Sequence, residues 1–202
     1  MTQIAKTAII YPDVEIGDNV TIEDFCIIGN PFRGQSGEKT VIGKNSVIRS
    51  HTVIYAGNII GDNFQTGNKA NIRELNKIGN NVSIGTLSVL EHHVTIGDNV
   101  RIHTQVFIPE YSSLEAGAWL GPNVVLTNAK YPLSPGVKDS LAGPHIKKGA
   151  IIGANSTILP GVKIGEDSLV GAGSVVTKDT RHGEVVRGNP ARPCKMIADL
   201  PY

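Results

Sequence analysis

Glu74, His92 and Glu110 recur at intervals of eighteen residues, and Asn128 follows at the same interval. A histidine with a carboxylate at equal spacing on either side has the composition of a general base. The carboxylates raise the proton affinity of the imidazole and orient its ring. Arg73 precedes Glu74, while Glu91 and His93 flank His92, so ionisable groups crowd two of these positions. The competing reading is ordinary polar surface, with Arg73 and Glu74 forming an ion pair worth little. The chemistry exists only if the fold brings residues eighteen apart into contact.

The repeat that would do so runs through most of the chain. Nearly every sixth residue from Ile4 to Val176 is Ile, Val or Leu, and the run from Ile42 to Leu120 is broken only at Thr66. A helix would space apolar residues by three and four, and an amphipathic strand would alternate, so short strands joined by tight corners fit better. The residue after each aliphatic is often glycine (Gly17, Gly43, Gly61, Gly79, Gly97, Gly165), which reads as a corner needing positive φ. The fifth position is small or β-branched, as in Val20, Ser46, Val82, Val100, Ser156 and Val162, so it points inward. One such coil cannot bury its interior, so successive coils must stack into a solenoid with parallel strand pairing.

This pattern resembles the hexapeptide-repeat acyltransferases over nearly the whole chain. The resemblance implies an all-β fold, a left-handed parallel β-helix with three sides and eighteen residues per coil. The handedness rests on the family, because ordinary parallel crossovers are right-handed. In such a coil Ala56, Glu74, His92, Glu110 and Asn128 form one column at a spacing of about 4.8 Å. The expected organisation is a β-helix over 1–181, with loops near 30–41 and 128–145. A tail follows over 182–202, with helical potential from Met196 to Leu200. Loops leaving a compact scaffold are functional or disordered, and the second starts at the top of the His92 column.

The segment Val89-Leu90-Glu91-His92-His93-Val94-Thr95-Ile96-Gly97-Asp98-Asn99 resembles the catalytic-histidine segment of acyltransferases acting on the amine of a nucleotide-linked sugar. The resemblance implies that His92 is the base; the stacking of coils makes a backbone N–H one coil away, at Glu110, the candidate for stabilising the oxyanion. Where bacillosamine-type relatives carry an acidic residue after the histidine, this chain has His93. An orienting carboxylate must then come from Glu74, Glu110 or Glu91. Arg73, Glu74, Asn71 and Asn68 are candidates for gripping the sugar or its diphosphate, with Glu91, Asn128 and Tyr131 as further substrate contacts. Tyr131 occupies the loop position where maltose and galactoside acetyltransferases carry their histidine, and tyrosine is a poor base at neutral pH. The three-histidine zinc site of γ-class carbonic anhydrases needs two histidines four residues apart, a spacing these six lack, so no metal is expected.

The stretches around Gly153-Ala154, Gly171-Ala172, Lys178 and Asn189-Pro190-Ala191-Arg192 resemble the coenzyme A region of this superfamily. Small residues leave room for an extended pantetheine, while Lys178 and Arg192 suit its phosphates. Gly-Ala-Gly corners also simply permit tight turning, although this does not account for the tail. Acyl-CoA, with acetyl as default, is the expected co-substrate and a nucleotide-linked amino sugar the acceptor, in a homotrimer implied by resemblance. A sugar hydroxyl as acceptor, or a catalytically silent scaffold, are the alternatives. The net charge of +1 and pI near 7.8 give no basis for nucleic-acid binding. No apolar run spans a bilayer and no signal-peptide pattern opens the chain, so the expectation is a cytoplasmic protein without membrane contact. Cys26, at an inward position, and Cys194 read as packing residues.

Overall fold

The computed structural model describes residues 1–33 and 37–201 and is a three-sided parallel β-solenoid. Among the described residues the strands form sheets of eleven, nine and eight. The first face begins with Gln3–Ile4 and Thr21–Ile22, the second with Ile9–Ile10 and Ile27–Asn30, and the third with Val14–Ile16 and Thr40–Ile42. In the central coils the register follows the period: Asn71 pairs with Val89 and Val89 with Phe107, each eighteen residues on. Glu15 instead pairs with Val41, twenty-six residues on, so eight residues leave the coil there. Ser113 pairs with His145, thirty-two on, so the second excursion loops out fourteen. Residues 34–36 of the first excursion lie outside the described residues.

The sixfold aliphatic residues fill the prism. Ile48, Ile54, Ile72 and Ile158 have no exposed surface, and Cys26 is likewise fully buried. Burying one such side chain contributes roughly 1.5–3 kcal/mol. Thr66 fits because its hydroxyl accepts from the Arg49 N–H at 2.9 Å and lies 3.2 Å from that of Thr52. No buried side-chain nitrogen or oxygen among the described residues lacks a partner.

The corner glycines serve a different purpose from the one expected. Positive φ falls two residues after them, at Asn19 (57°), Asn45 (58°), Asn63 (57°), Asn81 (56°) and Asn99 (61°). Asparagine tolerates that region, and its side chains link coils, as from Asn63 to Asn81 at 2.9 Å. Glycine is needed for close approach: a Cβ on Gly17 would lie 2.7 Å from the Lys44 nitrogen, and one on Gly97 2.7 Å from that of Ala116.

The first sheet also runs past the boundary expected at 181. Glu184–Gly188 pairs parallel with the strand at Leu169–Val170, then turns through a cis Asn189–Pro190 bond into antiparallel Ala191–Met196. The helical expectation over Met196 to Leu200 reduces to a 3-10 turn at Ile197–Asp199. Val185 and Val186 are buried, so this hairpin covers the C-terminal end of the core. The second excursion carries a 3-10 turn at Val137–Ser140 and is tied back by the Ala142 N–H to the Asn128 carbonyl at 2.9 Å. No helix of the described residues is long and apolar enough to cross a membrane.

Candidate active site

The corner from the second face to the third gathers Arg73, Glu74, Glu91, His92, Glu110 and Asn128. It follows the strands Asn71–Ile72, Val89–Leu90 and Phe107–Ile108, whose register stacks the residues after each strand. Below this corner two fully buried asparagines hold the backbone. Asn76 accepts from the Val94 N–H at 2.7 Å and donates to the Arg73 carbonyl at 2.7 Å. Asn58 donates to the same carbonyl at 2.8 Å and accepts from the Asn76 N–H at 3.2 Å.

His92 Nε2 lies 3.7 Å from Glu110 Oε1, each side chain being a quarter exposed. The other Glu110 oxygen accepts from Asn128 Nδ2 at 2.7 Å, which links the His92 corner to the foot of the second excursion. His92 Nδ1 faces His93 Nδ1 at 2.8 Å. The Tyr111 ring packs edge-on to His92, with centroids 5.8 Å apart, and tilted against His93 at 5.7 Å.

On the preceding coil Arg73 closes a network of its own. Its Nε and a terminal nitrogen donate to the two Glu74 oxygens at 2.8 Å each, the other terminal nitrogen reaches Glu91 at 3.0 Å, and the guanidinium lies over Tyr55. Burial pushes the Glu74 carboxyl up, but hydrogen bonds from Arg73 and its own backbone, with the charges of Arg73 and His92, hold it below the usual carboxylate range. Burial raises the Glu91 carboxyl; Arg73 opposes that and Glu110 adds to it.

The other expected substrate contacts lie elsewhere. Asn68 sits on the corner from the first face to the second, bonded to Ser50 at 2.8 Å, because it follows the strand at Gln65–Thr66. Asn71 points out from the second face, and Tyr131 is two-thirds exposed in the excursion, with Lys130 over its ring. The corner holding Asn68 also carries Gly153-Ala154 and Gly171-Ala172, where Ala172 packs against Gly153. Lys178 and Arg192 converge with Arg181 on a cleft of about 310 Å³ at the C-terminal end of the prism. Asn189 lies in the hairpin turn beside it. Tyr55, Asn58, Asn76 and Tyr111 were not singled out from sequence, although Asn58 with Asn76, and His93 with Tyr111, carry the same eighteen-residue spacing.

The family described as bacterial transferase hexapeptide (six repeats) matches residues 77–110 and 143–178. A galactoside O-acetyltransferase of Lactococcus lactis is 37% identical over 86 residues, 41% of this chain and 42% of its own length. A dTDP-3-amino-3,6-dideoxy-α-D-galactopyranose 3-N-acetyltransferase of Aneurinibacillus thermoaerophilus is 54% identical over 54 residues, 27% of this chain and 28% of its own. The chain thus spans less than half the length of these curated relatives. Among solved structures, a UDP-N-acetylglucosamine acyltransferase of Francisella novicida superposes over 98% of this chain and 71% of its own with a TM-score of 0.81. Its identity of 20% speaks for the fold alone. The two matched stretches carry the hexapeptide repeat, and the prism continues the same repeat between and beyond them.

Proposed function

We propose that the protein is an N-acyltransferase that moves an acyl group, acetyl by default, from acyl-CoA to the amine of a nucleotide-linked amino-deoxysugar. The observation that carries this reading is the open corner where His92 Nε2 faces the Glu110 carboxylate at 3.7 Å. An acceptor arriving as an ammonium would be drawn to Glu110 and would surrender its proton to Nε2. The freed amine attacks the thioester carbonyl; a C–N bond forms, the C–S bond breaks, the proton held by His92 passes to the departing thiolate, and the second proton that the nitrogen sheds on becoming an amide leaves to solvent through the open corner. General base catalysis of this kind supplies roughly 10²–10⁴-fold.

The relatives support this reading without separating its versions. One is named for transfer to an amino sugar and another for transfer to a galactoside oxygen. Glu110 favours the amine, because a carboxylate beside the base attracts a cationic acceptor and does little for a neutral hydroxyl. Lys178 and Arg192, sharing one cleft, suit the phosphates of coenzyme A. The protein would work in the cytoplasm as a homotrimer. The outward row of the second face supports the trimer, since Ile27, Val53, Val89, Phe107, Val125 and Val175 present apolar surface there, interrupted only by Asn71 and Thr157.

The test is thiol release from acetyl-CoA with UDP- and dTDP-linked 3-amino and 4-amino sugars. His92→Ala should lower kcat by roughly 10²–10⁴-fold while leaving coenzyme A affinity nearly unchanged. Wild-type turnover in that variant would remove His92 as the base. Release with hydroxyl acceptors alone would move the reading to O-transfer.

A further inference from the structure

We propose that His93 is a positioning residue whose neutral imidazole holds His92 in the tautomer that leaves Nε2 bare. The inference rests on the reading of His92 as the base. Two Nδ1 atoms 2.8 Å apart share a hydrogen bond only if one carries the proton and the other a lone pair. A base acting through Nε2 must carry its own proton on Nδ1, so His92 donates and His93 accepts. His93 then keeps its remaining proton on Nε2 and stays neutral. When His92 takes a second proton at Nε2, its Nδ1–H continues to donate to His93, so the ring keeps its orientation through the proton transfer.

The carboxylates expected to do this are engaged elsewhere. Both Glu74 oxygens accept from Arg73, Glu91 accepts from Arg73, and Glu110 accepts from Asn128 and faces Nε2. None of the three reaches Nδ1 of His92, so its orientation must come from another group. The fold places His93 for its part. Its φ of 56° turns the side chain at the corner, its N–H reaches the Glu74 carbonyl at 3.4 Å, and the next residue is held by Asn76. Tyr111, one coil on, packs against both imidazoles and limits their rotation. The two rings stand nearly perpendicular, at 85°, so that His93 meets His92 at its edge, where the Nδ1 proton lies.

The first experiment is nitrogen-15 NMR of the full chain with labelled histidine, assigning His92 by its loss in His92→Ala. The expected pattern is a protonated Nδ1 and bare Nε2 on His92, with the reverse on His93. The opposite pattern in the wild-type protein overturns the proposal whatever any variant does. The second is turnover. His93→Phe keeps a ring but no acceptor, and should lower kcat about tenfold to a hundredfold, with KM for both substrates within about twofold. His93→Asn offers an amide oxygen and tolerates the corner's φ, and should recover most of the rate. Full turnover in His93→Phe, or no recovery in a folded His93→Asn, overturns the proposal. If His92→Ala is inactive while His93→Phe is unimpaired, the pairing fails and the base stands; if His92→Ala is active, the base itself fails.

Discussion

Arg73 shows how one residue can look like a ligand-binding group in sequence and act as a structural clamp. Its guanidinium is shared between Glu74 and Glu91 and lies over Tyr55, which leaves little of it to grip a diphosphate. Glu74 and Glu91 share this cation yet titrate in opposite directions. Glu74, held low, contributes stability above its unfolded value of about 4.3, and that contribution is lost as pH falls through its lower folded value. Glu91, held high, has the opposite sign: ionising it in the folded state costs stability, which returns as pH falls. Glu74→Gln should therefore cost on the order of 2 kcal/mol at pH 7, the scale of charged hydrogen bonds. The gap to wild type should close as pH drops below 4. Glu91→Gln, which removes that ionisation, should be neutral or slightly stabilising at pH 7, within about 1 kcal/mol. Urea unfolding at pH 7 and pH 3 measures both, and equal losses for the two variants at pH 7 would contradict the assignment.

At the scale of elements, the corner beneath the site is built on Asn58 and Asn76, which turn backbone groups of three coils toward one another. Asn76→Ala leaves the Val94 N–H and one bond to the Arg73 carbonyl without a partner in a dry interior, a loss of about 1–3 kcal/mol. The corner carrying His92 and His93 should loosen with it, so kcat should fall more than KM rises. Thermal melts with steady-state kinetics check this, and unchanged kcat at reduced stability would separate the asparagines from the site. These two residues also mark the limit of what was legible in the sequence. The aliphatic period reports inward direction, so the prism and the column of Glu74, His92 and Glu110 follow from it once eighteen residues close a coil. Period alone does not say whether a corner glycine is needed for positive φ or for close approach, and Gly17 and Gly97 prove to be the second. The terminal hairpin was not legible because Glu184–Met196 is antiparallel and leaves the repeat. The contact between His92 and His93 depends on side-chain rotation and on Tyr111, which spacing does not encode.

At the scale of the whole molecule, the three faces are unlike. The third turns Lys77, Thr95, Ser113, His145 and Lys163 outward above Val41 and Ile59, so that it is polar from Lys77 onward. The second turns out an aliphatic and aromatic row in which Phe107 and Val125 are each 37% exposed. A long, mostly apolar row beside the candidate site suits an interaction surface, and three copies joined through it would close a ring with each His92 corner beside a neighbour. If the chain trimerises through that row, Phe107→Glu in its middle should leave monomers by light scattering. Thr95→Glu on the third face should leave the mass unchanged. Because Phe107 points away from the core, its replacement should leave the prism folded by circular dichroism. If the site needs the neighbour's surface to enclose the sugar nucleotide, kcat/KM for the acceptor should collapse with the trimer. A monomeric Phe107→Glu variant with full activity would show that each prism holds a complete site, and a wild-type monomer would remove the trimer altogether.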